Sequence, residues 1–246
     1  MKAMILAAGL GTRLRPLTDD RPKALVELGG RTLLEITLAR LRSFGIGEVI
    51  VNVHHFADMV VDYLRAHQYF GMRIEISRED TLLDTGGGLK KAAWFFLEDP
   101  GSRNEPFVLH NVDVLSNIDL GRMLKSHNEQ TALATLAVQD RKTSRYLLFD
   151  SELKLCGRRA SQDGETELVR PASRFEALAF SGIHLISPRL LTMLSEDGVF
   201  SIITSYLRLA AQTESICAFR ADEYRWRDLG RPENIAQAEQ DLGNKL

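Results

Sequence analysis

Apolar positions along the chain follow two alternating rhythms. Short, nearly solid runs predict buried strands: "AMILAA" from Ala3, "EVIVNV" from Glu48 and "PFVLHNVD" from Pro106. Between them, "TLLEITLARLRSF" from Thr32 places Leu33, Leu34, Ile36, Thr37, Leu38 and Leu41 at helical spacing, and "ADMVVDYLRAH" from Ala57 reads as an amphipathic helix. "MRIEIS" from Met72 alternates with period two, a strand signal, and "DTGGGLKKAAWFFL" from Asp84 reads as a glycine-rich turn opening a helix. Strand and helix in alternation predict an α/β fold: a Rossmann-like, mostly parallel mixed sheet with helices on both faces.

The second half is more mixed. "TALATLAV" from Thr131 and "YLLFD" from Tyr146 predict strands, "ELKLCGRR" from Glu152 a hairpin return, and "ASQDGETELVRPASR" from Ala160 a polar loop. "ALAFSGIHLI" from Ala177 is a further strand, followed by helical "PRLLTML" and "SIITSYLRLAAQ", short strands in "ESICAFRA" and "YRWRDLG", and a closing helix "PENIAQAEQDL" with Pro232 near its start. No repeat or linker divides the chain. The expectation is one domain over residues 1–246 with two lobes, 1–115 and 116–246, meeting at a cleft.

Composition narrows the function classes. A net charge of −2 gives no global case for nucleic acid or an anionic membrane as partner. Cys156 and Cys217 are far apart, so a disulfide framework and a zinc site are not expected, and none of the 6 histidines has metal-ligand spacing. The run from Ala3 to Ala8 is too short for a signal peptide, and no stretch approaches the roughly 20 apolar residues of a membrane span. A cytoplasmic protein is the expectation; oligomeric state is not readable.

Ligands of open α/β sheets bind beyond the carboxyl ends of the strands. Three polar clusters fall at such ends: Gly9 to Arg15, Asp84 to Gly88, and Asn111 to Asp113. The first, "LAAGLGTRLRPLT", is no dinucleotide fingerprint, because Leu14 stands where the third glycine belongs, and no P-loop, because GxxxxGK is absent. It is a short glycine turn whose backbone N–H groups suit phosphate oxygens, although a plain strand-to-helix turn with solvated arginines meets the spacing equally well. Arg21 and Lys23 shift that balance. With Arg13 and Arg15 they make four cations within eleven residues, diluted only by Asp19 and Asp20 and stiffened by Pro16 and Pro22. Three consecutive glycines in "DTGGG" suggest close approach of a flat ligand, with Thr85 as a helix cap. Asp113 and Asp228 each read alone as turn or cap residues. His54 and His55 fit packing and surface hydrogen bonds. Ser181 is no esterase elbow, since Ala179 replaces the required glycine.

At this point "LAAGLGTRLRPLTDDRPKALVELGGRTLLE" resembles the signature of the sugar-1-phosphate nucleotidylyltransferases, and the likeness continues in family order through "DTGGGLKKA", "LHNVD", "FSGIHLI" and "WRDLGRPENI". The resemblance implies that a nucleoside triphosphate and a sugar 1-phosphate give an NDP-sugar and pyrophosphate, with residues 1–115 taking the nucleotide and 116–246 the sugar phosphate. It implies Arg13 and Lys23 as catalytic cations. It implies a nucleotide site of Leu6, Ala7, Ala8, Gly9, Gly11, Thr12, Arg13, Asp84, Thr85, Gly86 and Gly87. Lys23, Asn111, Glu165, Ser181 and Gly182 would face the sugar phosphate, with Arg170 a weaker candidate, and Asp113 and Asp228 would hold Mg²⁺. The residue types fit this chemistry: a phosphate monoester is already largely ionised near neutral pH, its second pKa being about 6, so it needs cations and a metal rather than a general base.

Two departures stand out. Many relatives have Asn-Gly-Asp where this chain has Asn111-Val112-Asp113, so Val112 either narrows the sugar site or turns into the core. A C-terminal hexapeptide-repeat β-helix is missing, so its acyltransferase activity is not expected. Short members with "TGGG" resemble the uridylyltransferase acting on N-acetylmuramate 1-phosphate. Mannose- or heptose-1-phosphate guanylyltransferases and phosphocholine cytidylyltransferases remain alternatives, as does a catalytically silent nucleotide-sugar sensor.

Overall fold

The computed structural model describes residues 1–98, 104–161 and 163–243. The first half winds β1 (Lys2–Leu6), the small pair β2 (Glu27–Leu28) and β3 (Arg31–Thr32), α1 (Leu33–Ser43), β4 (Glu48–Val53), α2 (Ala57–Ala66), β5 (Arg73–Arg78), α3 (Asp84–Lys91), α4 (Ala93–Leu97), β6 (Phe107–Asn111) and β7 (Val114–Ser116). The second half supplies α5 (Leu120–Glu129), β8 (Ala134–Gln139), β9 (Arg145–Asp150), β10 (Leu155–Ala160), β11 (Thr166–Leu168), β12 (Phe175–Ile186), α6 (Ile202–Ala211), β13 (Ile216–Arg220), β14 (Trp226–Asp228) and α7 (Pro232–Gly243).

A ten-stranded sheet runs through both halves. β5, β4, β1 and β6 lie side by side and parallel. β12 joins them antiparallel to β6 through Ile183 opposite His110, and β8, β9, β10 and β11 extend the sheet. β1, β4 and β6 are buried along both faces, which is why their sequences are near-solid apolar runs, whereas the edge strand β5 alternates. Two apolar layers cover the sheet. Leu34, Leu38 and Leu41 of α1 pack with Val49 and Val51 on one side, while Leu89, Phe95 and Tyr206 pack with Met4, Ile50 and Leu109 on the other.

Local chemistry sets the ends. Thr32 caps α1 by accepting from the Glu35 amide, and Asp119 caps α5 by accepting from Arg122. Helix α5 was not anticipated, although Asp119 followed by Leu120, Met123 and His127 carries the cap and the period. The stretch read as a polar loop after Ala160 contains β11, whose three exposed residues are held by pairing with β10; Gln162 within it lies outside the described residues. Strand β14 pairs with β7 rather than with the main sheet, and this brings Asp228 opposite Val114.

Candidate active site

Because β5, β4, β1 and β6 are adjacent and parallel, their carboxyl ends deliver Glu79, Asn52, Ala7–Gly9 and Asn111 to one edge of the sheet. A cleft of about 440 Å³ opens there. Leu6, Ala8, Gly9, Arg13, Lys23, Asp84, Thr85, Asn111 and Asp113, all expected from the sequence, line it together with Asn52, Glu79, Leu82 and Val199.

Asn52 and Glu79 were missed by sequence reasoning, and they organise the cleft floor. The Ala7 amide donates to Asn52 Oδ1 at 2.7 Å, Asn52 Nδ2 donates to Glu79 Oε1 at 2.7 Å, and the Leu83 amide donates to Glu79 Oε2 at 2.9 Å. This buried relay ties three strand ends to the start of α3. The signal for both residues is the one that singled out Asn111: a polar side chain ending an apolar strand.

The opening loop folds as two short 3₁₀ turns, Thr12–Leu14 and Lys23–Leu25. Gly11 has φ +66°, and a Cβ there would meet Thr18 Cγ2 at 2.9 Å, so both its backbone and its surroundings require glycine. At Gly9 a Cβ would meet only Lys23 Nζ, at 3.6 Å, so glycine there leaves room toward the cleft. Gly11 and Thr12 line a small adjoining cavity with Arg13, Lys23 and Gly230. The four cations of this segment separate into two pairs. Arg15 and Arg21 lie outward and pair with Asp19 and Asp20, the acids that had looked like mere dilution. Arg13 and Lys23 face the cleft.

Lys23 Nζ lies 2.9 Å from Asp113 Oδ2, and Arg13 Nη1 lies 3.8 Å from Asp228 Oδ2. The two carboxylates converge beside Gly230. A Cβ on that glycine would stand 2.8 Å from Asp228 Oδ1, 3.1 Å from Asp113 Oδ2 and 2.8 Å from Arg13 Nη2. The Gly230 amide donates to Asp228 Oδ1, and the Leu229 amide donates to the Asp113 carbonyl, which fixes the approach of the two acids. Two hard oxygen donors around a space that only glycine leaves open suit a magnesium ion, which takes one or two carboxylates and completes its shell with water and phosphate oxygens. Two cations against two carboxylates also leave the mouth of the cleft near neutrality, so a bound polyphosphate would need a divalent ion to balance its charge.

Beyond Asn111 the sheet has a gap. Along one side of β12, β9 reaches Ala179 and β6 begins at Ile183, so Phe180, Ser181 and Gly182 have no strand partner on that side. Gly182 has φ +74°, and a Cβ there would meet Asn111 Nδ2 at 2.9 Å, so the expected pair Asn111 and Gly182 are in close contact. Ser181 is fully buried, and its hydroxyl has no hydrogen-bond partner among the described residues; its carbonyl accepts from Trp226 Nε1 at 2.7 Å.

Several expectations change. Asp84 to Gly88 is not a turn: the glycines lie inside α3, and each faces the chain itself. A Cβ at Gly86 would strike the Phe200 ring at 2.3 Å, at Gly87 the Gly198 carbonyl at 2.4 Å, and at Gly88 the Glu79 carboxylate at 2.7 Å. The amides of Gly86 and Gly87 both donate to the Phe200 carbonyl. Thr85 caps a different helix from the one expected, since its hydroxyl accepts from the Ile202 amide at the start of α6. Glu165 lies away from the phosphate-facing cleft, lining a separate cavity of about 780 Å³ with Arg145, Arg159, Phe180 and Ser201. Arg170 is committed to Asp150 at 2.5 Å. Val112 points into the core and is 1% exposed, so it does not narrow the sugar side. His54 Nδ1 bonds the Glu79 carbonyl, and the His55 ring packs tilted against Phe56, as packing residues do.

The model of the nucleotidyl transferase family matches residues 2–245. The chain belongs to the nucleotidyl transferase family. Among its relatives, it is 37% identical to the N-acetylmuramate alpha-1-phosphate uridylyltransferase of Caulobacter vibrioides over 96% of this chain and 95% of that protein. It is 26% identical to the mannose-1-phosphate guanyltransferase of Yarrowia lipolytica, covering 96% of this chain and 62% of the relative. The fold matches that of HddC from Yersinia pseudotuberculosis, solved with GMP-PN, with a TM-score of 0.76, 21% identity and coverage of 98% and 99% of the two chains. The α/β sheet expected from the strand–helix rhythm and the nucleotidyl transferase fold implied by the resemblance are both observed.

Proposed function

We propose that the protein joins UTP to N-acetylmuramate 1-phosphate, releasing pyrophosphate, as a cytoplasmic enzyme. The observation that carries this reading is the convergence of Lys23, Arg13, Asp113 and Asp228 at the mouth of a cleft built on the strand ends. Similarity along nearly the whole length of the Caulobacter vibrioides uridylyltransferase supports the choice of substrates. Retention of both carboxylates weighs against a silent sensor, which would not need a metal pair. Two buried free thiols and the absence, among the described residues, of any helix long and apolar enough to cross a membrane are compatible with the proposed compartment.

The nucleotide would lie over residues 1–115, its base between Glu79, Asp84 and Thr85 and its phosphates over Gly9 and the Gly11–Arg13 turn. The sugar would occupy the gap floored by Ser181 and Gly182, beside Asn111. An ionised acceptor phosphate attacks the α-phosphorus, the bond to the bridging oxygen of pyrophosphate breaks, and no general base is required. Lys23 positions the incoming phosphate. Arg13 stabilises charge as it builds on the leaving pyrophosphate. Mg²⁺, held by Asp113 and Asp228, would supply charge neutralisation of the phosphates.

The test is pyrophosphate release from each of the four NTPs with a panel of sugar 1-phosphates, with and without divalent metal. The expected pair is UTP with N-acetylmuramate 1-phosphate, and the expected turnover depends on metal. No release with any pair would sink the enzymatic reading; preference for GTP with a mannose or heptose phosphate would replace the substrates.

A further inference from the structure

Arg141 follows β8 and lies against Phe180 and Trp226, outside the residues that line the phosphate-facing cleft. Its guanidinium lies 3.6 Å from the centroid of the Trp226 ring, and Nη2 donates to the Phe180 carbonyl at 2.7 Å. Trp226 in turn is fixed by its bond to the Ser181 carbonyl. Arg141 is thus clamped over the gap between β6 and β9, on the floor formed by Phe180 to Gly182. Among the described residues no carboxylate lies within ion-pair distance of it, whereas Arg13, Arg15, Arg21 and Arg170 all have one. Its Nε is buried without a partner among the described residues. Burial also lowers its pKa, the cost of holding a cation out of water. Asp228 offsets that cost only from beyond ion-pair distance, so a ligand carrying negative charge at the guanidinium would stabilise it further.

The position separates two kinds of anion. The phosphate-handling groups, Lys23, Arg13 and Asp228, stand at one end of the cleft. Trp226 is two residues before Asp228 on β14, so their backbones are about 7 Å apart in an extended strand. Arg141 is beyond ion-pair distance of Asp228 and reaches the site from the sugar lobe. With the sugar placed over Ser181 and Gly182 as proposed, Arg141 stands next to the sugar, with the charge of Asp228 still reaching it. N-Acetylmuramate differs from N-acetylglucosamine by a lactyl ether that carries a carboxylate. Among the described residues Nη1 makes no hydrogen bond and Nη2 makes only one, which leaves the outer edge of the guanidinium open for an end-on carboxylate contact.

We infer that Arg141 is a specificity-determining residue that binds a carboxylate on the sugar of the second substrate. The inference rests on the proposed nucleotidyl transfer to N-acetylmuramate 1-phosphate. The test compares kcat/KM of the full chain with UTP and two acceptors, N-acetylmuramate 1-phosphate and N-acetylglucosamine 1-phosphate. The wild type is expected to favour the carboxylate-bearing acceptor. Arg141→Gln should raise the KM for that acceptor roughly 10- to 100-fold, the loss expected for a hydrogen bond to a charged group. The other acceptor should suffer far less, so the preference collapses. Arg141→Lys, which keeps the charge but loses the fork, should restore only part of it and serves if the glutamine variant fails to fold. Equal losses on both acceptors would overturn the inference and leave Arg141 a brace for Trp226. A wild type that turns over both without preference would overturn it too, while nucleotidyl transfer stands. A wild type that turns over neither would overturn the proposed function and this inference with it.

Discussion

Lys23 Nζ and Asp113 Oδ2 stand 2.9 Å apart, an ion pair between residues 90 positions distant in sequence. It fastens the opening loop to the end of β6, and both side chains are largely shielded, at 16% and 9% exposure. The loop therefore holds its ammonium at one place, and in the proposed reaction binding would redirect it from the carboxylate to a phosphate.

Lys23→Ala removes that ammonium. Loss of a preorganised cation at a developing charge costs about 100- to 1000-fold in kcat. The core beneath, Ala24 and Leu25, is untouched, so far-ultraviolet circular dichroism should be unchanged. A variant with near-normal turnover would remove Lys23 from the site.

Gly230→Ala tests the metal pair without deleting a ligand. The added Cβ would lie within about 3 Å of oxygens from both Asp113 and Asp228 and of Arg13 Nη2, filling the space between them. Metal affinity should fall by about 10- to 100-fold, as for other disturbances of supporting groups. The measurement is the magnesium concentration giving half-maximal rate, alongside direct titration with Mn²⁺. An unchanged metal requirement would move the ion elsewhere.

Much of this site was legible because it is local. Gly9, Gly11 and Arg13 follow one strand, and the end of β4 at Val53 was readable from apolar rhythm alone. What was not legible depends on neighbours brought by the sheet. Asn52 and Glu79 look ordinary until β4 and β5 lie beside β1. Arg15 and Arg21 counted as site cations because linear spacing does not show that Asp19 and Asp20 hold them outward. The triple glycine did report close approach, but the approaching groups belong to the chain itself: Phe200 at Gly86, Gly198 at Gly87 and Glu79 at Gly88.

Glu79→Gln should loosen the floor of the cleft. One of the two donors now facing the carboxylate, Asn52 Nδ2 or the Leu83 amide, would meet an NH₂ group instead of an oxygen. An unsatisfied buried donor costs about 1–3 kcal/mol. The expected result is a lower urea midpoint and a higher KM for the nucleotide with little change for the sugar phosphate. If stability and nucleotide KM both stay put, the relay has no structural weight.

Acid should destabilise the protein through its buried histidines. Desolvation holds His110 and His127 at about 4 and His184 at about 3, all below the ordinary 6.5. Because these folded-state values are depressed, the unfolded chain takes up protons first. The stability carried by the neutral rings is complete above about 6.5 and drains away as pH falls toward 4 and below. Glu98 and Glu196, held at about 2 by Arg73 and Arg208, lose their contribution only at lower pH. Urea midpoints measured from pH 7.5 to 4.5 should decline, and His184→Phe should flatten the decline while losing the bond to the Tyr206 hydroxyl. A flat wild-type profile would mean that these rings are solvated.

Gly87→Ala decides whether the glycine triplet serves the ligand or the fold. Its Cβ would be 2.4 Å from the Gly198 carbonyl oxygen and 2.9 Å from Leu83 Cβ, neither of which is the free end of a flexible side chain. Overpacking of that kind costs about 1–3 kcal/mol. The same strap, Gly198 to Phe200, accepts the α3 amides and leads into α6, and Val199 lines the cleft. The expected result is a lower melting temperature in the absence of any nucleotide, with Thr85→Ala adding the loss of the bond from the Ile202 amide, about 1 kcal/mol. If Gly87→Ala instead melted like the wild type without nucleotide and raised only the KM for UTP, the triplet would belong to the base after all, and α3 would have to present its amides by releasing Phe200.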